Sequence, residues 1–146
     1  MKSILLSTLF LIITIAGSAQ SNQPPVERKS QQFSKGDIIV SSTASSDRDA
    51  VMSVSDKAYQ NNIIGVYNGE AQSVKGNEYV TQGFALVKYK SENGKILAGD
   101  PLTSSSAPGV AMKASKSGII LGIACEDAKA DEGLILIRVM VQYTRF

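Results

Sequence analysis

The chain has 146 residues, 43% of them hydrophobic, with fifteen basic and thirteen acidic side chains, one cysteine and no histidine. That length suits one domain with a core of its own, and a single cysteine excludes an internal disulfide. The missing histidine removes the usual general base, the Ser-His-Asp arrangement and most zinc sites, and the scattered charges leave no concentrated positive face for nucleic acid.

The chain opens with Lys2, the apolar run Ile4–Ala16, and small residues Gly17 and Ala19 just before Gln20. This is the pattern of a secretory signal over residues 1–19. As a helix the run would span about 20 Å, short of the roughly 30 Å hydrocarbon core. Cleavage after Ala19 is therefore expected, with no stable membrane insertion afterwards and a secreted or cell-surface protein as the product. No cysteine stands directly after the apolar run, so a lipoprotein anchor is not expected. Loss of Lys2 leaves the mature chain nearly neutral. Residues 20–35 are polar, carry Pro24 and Pro25, and show no periodicity. They read as an extended or disordered arm, or more sharply as an arm that docks on a neighbouring subunit.

From Gly36 to Phe146 the chain reads as an all-β domain. Short runs rich in β-branched and aromatic residues, "DIIVSS", "NNIIGVY", "NEYVTQGFALVKYK", "KILAG", "SGIILGIA" and "GLILIRVMVQYT", alternate with turn residues. Asn93-Gly94 predicts a hairpin between "ALVKYKSE" and "KILAG", and "DRDAVMSVSDKAYQ" is read as a short helix or helical turn. In the last strand, period-two geometry puts Ile135, Ile137, Val139, Val141 and Tyr143 on a face that should line the core. The opposite face, Leu134, Leu136, Arg138, Met140 and Gln142, is expected to meet another sheet or another subunit.

The domain contains an internal echo. "GDIIVSS" from Gly36-Asp37 and "GDPLTSS" from Gly99-Asp100 match in spacing. Each is followed by a stretch ending in Met52 or Met112, then by an apolar strand broken by Gly65 or Gly122. Two pseudo-repeated β-modules that bury their apolar faces together are expected. Gly99 and Asp100 are then turn residues, and Pro108-Gly109 redirects the chain into a hairpin.

The stretch "GFALVKYKSENGKILAGDPLTSSSAPGVAMKASKSGIILGIACED", with "EGLILIRVMVQ" after it, resembles a C-terminal β module of bacterial extracellular and phage-derived fibre proteins. It is more remotely similar to the chaperone domains that end phage tail appendages, some of which cleave themselves from a trimeric fibre. The resemblance covers Gly83 to Gln142 closely and Gly36 to Glu70 loosely. It implies a compact β-clip or barrel-like fold with a tendency to trimerise. Cys125 stands where the pattern has leucine.

No residue constellation argues for catalysis, a metal or a cofactor. Cys125 sits beside Glu126 and Asp127, which would raise a thiol pKa, and is read as a small packing residue. A Ser-Lys pairing of Ser104 or Ser105 with Lys113 or Lys116 is the remaining nucleophilic arrangement. The four carboxylates of "EDAKADEG" do not follow a calcium-loop spacing. The leading expectation is a non-enzymatic module that works by homo-oligomerisation, as a trimer, or as a subunit of an extracellular assembly. The alternatives are a self-processing domain, with Asp100 or Asp37 as the acid, and a glycan or small-ligand binding module with its pocket between the repeats.

Overall fold

The computed structural model describes residues 32–42, 51–69 and 79–146. The signal segment expected over residues 1–19 and most of the arm expected over 20–35 lie outside the described residues. Nine strands follow in chain order: β1 (Ile38–Ser42), β2 (Val51–Val54), β3 (Ile63–Tyr67), β4 (Tyr79–Val80), β5 (Gln82–Lys90), β6 (Pro101–Ser104), β7 (Ala111–Lys113), β8 (Gly118–Ala124) and β9 (Glu132–Thr144). The described residues contain no helix, so the domain is all-β.

The strands make two sheets. The first has the order β2-β1-β3-β4. The second runs β5-β7-β6-β8-β9 and closes on itself, because β5 also pairs with β9 from Gln82 opposite Met140 to Lys90 opposite Glu132. Pairing is antiparallel throughout except for one parallel bridge, Tyr89 to Ala111. Isoleucine, valine and leucine from both sheets fill one core, with Ile38, Val66, Val87, Leu102, Leu121 and Ile137 fully buried.

The two-module expectation has a direct counterpart in the pairing. Ile38 lies opposite Val66 and Ile39 opposite Gly65, as Pro101 lies opposite Ile123 and Leu102 opposite Gly122. The order β2-β1-β3-β4 therefore repeats as β7-β6-β8-β9. One landmark shifts. Ser41 pairs with Met52 but Ser104 pairs with Ala111, so Met52 and Met112 are one position out of step.

Three local expectations are corrected. Val51–Val54 is strand β2 rather than part of a helix, because its residues pair in register with β1; the preceding residues 43–50 lie outside the described chain. "KILAG" is not a strand, and Asn93-Gly94 joins no hairpin. Ile96 instead drops into the core, fully buried, while its carbonyl accepts the Ala128 amide. "NEYVTQGFALVKYK" bends at Thr81, so that β4 pairs with β3 while β5 crosses to β9. The hairpin expected around Pro108-Gly109 is present as β6–β7, with Leu102 opposite Lys113.

Candidate functional site

Each module begins with the same turn. Gly36 and Gly99 have φ of +87° and +90°, a left-handed conformation that favours glycine. In the first turn the Asp37 amide donates to the Ser34 carbonyl and the Ser34 amide donates to Asp37 Oδ2 at 2.7 Å. In the second the Asp100 amide donates to the Leu97 carbonyl and the Leu97 amide donates to Asp100 Oδ2 at 2.8 Å. The carbonyls of Asp37 and Asp100 accept from the amides of Tyr67 and Ala124, which lock the turns to β3 and β8.

Both carboxylates meet a lysine, but from non-equivalent strands. Lys88 of β5 reaches Asp37 Oδ1 at 2.6 Å, and Lys113 of β7 reaches Asp100 Oδ2 at 2.8 Å. Burial pushes the Asp100 carboxyl up, but the Lys113 hydrogen bond, the Leu97 amide and the Lys113 charge outweigh it. The net effect holds Asp100 below its ordinary value and ionised.

The central glycines have a different task. A Cβ on Gly65 would stand 2.2 Å from the Val80 carbonyl oxygen, and one on Gly122 would stand 2.2 Å from that of Arg138. Both positions demand the close approach of the neighbouring strand. Gly109 couples the modules: its carbonyl accepts the Ile38 amide and its amide donates to the Ser55 carbonyl. Pro108 beside it is exposed. The reciprocal contact comes from the first module, where the Tyr59 amide donates to the Ser104 carbonyl and the Gln60 amide to Ser104 Oγ.

The other candidate groups do not converge. Ser104 and Ser105 are fully buried; Ser105 Oγ donates to the Ala107 carbonyl, and Lys113 is paired with Asp100. Glu126 and Asp127 cap the amides of Leu136 and Ala98 respectively. No cluster of three or more potential metal-ligating carboxylates or thiols forms among the described residues. Cys125 is exposed rather than packed, because the strand delivers its side chain outward as β8 ends. A hollow of about 610 Å³, open to solvent, lies on the β2–β3 loop and is lined by Ser41 and Lys57 to Asn62.

The prominent surface feature is the outer face of the β5–β9 ribbon. Phe84 is 68% exposed and Leu134 50%, with Leu86 and Leu136 also open to solvent. Phe84 lies opposite Arg138, Leu86 opposite Leu136, Lys88 opposite Leu134, and Gln82 opposite Met140. Alternation sends Ala85, Val87, Tyr89, Ile135, Ile137 and Val139 inward. The expected outward set of Leu134, Leu136, Arg138, Met140 and Gln142 is thus at the surface, Met140 half-buried. The inward set ends earlier than expected: Val141 is half-buried and Tyr143 is 61% exposed, since the core stops at Val139. Phe84 and Leu86 were not singled out from sequence, although the same period-two reading of "QGFALVKYK" marks them.

No family model matches the chain, and neither curated proteins nor solved structures give a match.

Proposed function

We propose that the protein is an exported, non-enzymatic assembly module that associates with copies of itself through the outer face of β5 and β9. The observation that carries this reading is the concentration of Phe84, Leu86, Leu134 and Leu136 on one face of two paired strands. An exposed apolar cluster of this kind, bordered by Arg138 and Lys88, favours burial against a partner. Near-neutral charge on the mature chain adds little repulsion between copies. The apolar signal-like run supports export, and the resemblance to fibre-ending β modules of the clip type supports a trimer.

Light scattering on the chain beginning at Gln20 tests the reading. A trimer is the expected mass, and a monomer that persists at high concentration overturns it. Phe84→Glu combined with Leu136→Glu is expected to shift the population to monomer with the circular dichroism spectrum unchanged. The Cys125 amide donates to the Leu136 carbonyl, which puts the exposed thiol beside this face. Its reaction with a maleimide is expected to be slower in the assembled protein than in the double variant.

A further inference from the structure

The second module differs from the first in one covalent respect: Asp100 is followed by proline, where Asp37 is followed by isoleucine. We propose that the Asp100–Pro101 peptide bond is a self-cleavage site, at which the Asp100 side chain attacks its own main-chain carbonyl and expels the Pro101 nitrogen.

Three features of the turn favour that step. Asp100 Oδ2 is held by the Leu97 amide and Lys113, while Oδ1 accepts no hydrogen bond among the described residues and is free to attack. The carbonyl under attack accepts the Ala124 amide at 2.9 Å, a donor that stabilises the oxyanion as it forms. The leaving nitrogen belongs to a tertiary amide with no N–H, so no hydrogen bond of its own retains it in the sheet. The Asp37–Ile38 bond lacks two of these. Both Asp37 oxygens are engaged, by Lys88 and by the Ser34 amide, and the Ile38 amide donates to Gly109. The first module is a built-in control.

The step balances as follows. The carboxylate Oδ1 bonds to the main-chain carbon and closes a five-membered anhydride as the C–N bond breaks. The proline nitrogen takes a proton, supplied by the Lys113 ammonium that pairs with the same carboxylate or, increasingly as the pH falls, by solvent. Water then opens the anhydride, leaving two carboxyl groups on Asp100 and a free N-terminus on Pro101. Lys113 from β7 is the cation facing this turn, and Asp127 from the β8–β9 connection caps it at the Ala98 amide. Because Asp100 stays ionised below the ordinary carboxylate range, acidification supplies protons to the leaving nitrogen while the nucleophile persists. Cleavage therefore accelerates as the pH falls from neutrality. The two pieces stay together, since β5 remains paired with β9 across the cut.

The test follows the chain from Gln20 by intact mass and N-terminal sequencing at neutral pH and near pH 5 (about the top of the carboxylate range), with a parallel sample in urea. The expected result is one fragment ending at Asp100 and one beginning at Pro101, formed on the order of tenfold faster folded than in urea, and faster in acid. Pro101→Ile, which installs the residue of the first module, is expected to abolish it with folding checked by circular dichroism. Lys113→Gln is expected to slow it roughly tenfold or more. An intact chain after days at both pH values, or equal rates folded and in urea, overturns the proposal.

Discussion

Asp37 and Asp100 begin equivalent turns, yet the first is nearly buried and the second is not: their side chains are 8% and 20% exposed. The difference comes from what lies above them. Asp37 is covered by the β6–β7 hairpin, whose Gly109 would place a Cβ 2.7 Å from Asp37 Oδ1. One turn has become an anchor between modules, while the other stays closer to water. Duplicated backbone geometry therefore does not imply duplicated energetics; the neighbour that arrives from the other module decides.

The comparison breaks most visibly at the close-approach glycines. Gly122→Ala is expected to destabilise by about 3 kcal/mol or more, because its Cβ collides with backbone rather than a yielding side chain. Gly65→Ala makes the same collision but disturbs only the short β3–β4 pairing, Val66–Val80 and Tyr67–Tyr79, so its loss should be smaller. Denaturant melts of both variants measure the gap, and equal losses would contradict the argument.

A smaller effect separates the two aspartates. Asp37→Asn is expected to cost about 2 kcal/mol, since it leaves the Lys88 charge facing a buried neutral group. Asp100→Asn should cost about 1 kcal/mol in its more open pair. The pH profile sharpens this. Asp100 is held below its unfolded value, so its contribution is fully present above the unfolded carboxylate range and is lost as pH falls through its folded value. The stability difference between wild type and Asp100→Asn should accordingly shrink on acidification over that window. A difference that grows would refute the sign.

The smallest effect has the opposite sign. Ser55 and Ala114 are equivalent, since their amides donate to the carbonyls of Ile38 and Pro101 respectively. Ser55 is fully buried and its hydroxyl has no hydrogen-bond partner among the described residues. Ser55→Ala is expected to stabilise by about 1 kcal/mol, and Ala114→Ser to destabilise by a comparable amount. Thermal melts of the pair read both.

Much of this architecture is legible in the residues. The Gly-Asp turns, the Pro108-Gly109 hairpin, the glycine-broken strands and the inward run Ile135, Ile137 and Val139 all follow from local conformational preference and period two. What sequence left hidden depends on partners distant in the chain. Val51–Val54 looks helical in isolation and becomes a strand only because β1 is there to pair with it. Asn93-Gly94 carries a strong hairpin signal, but the core claims Ile96 and prevents the second arm. The half-matched lysines could not be assigned to their aspartates from spacing, because Lys88 crosses from the β5–β9 ribbon to reach Asp37. Cys125 is exposed for a similar reason: β8 ends at Ala124, and the residues beside the cysteine do not say where the strand stops.

Gly109 has one more consequence, for the order in which the protein can form. The edge of the earlier half is completed by atoms from a hairpin synthesised dozens of residues later, with the Ile38 amide and the Ser55 carbonyl both waiting for it. A growing chain cannot lock its leading half until that hairpin has emerged, so folding is expected to be slow, late and all at once rather than module by module. A protein held open in this way through synthesis remains threadable until nearly its full length exists.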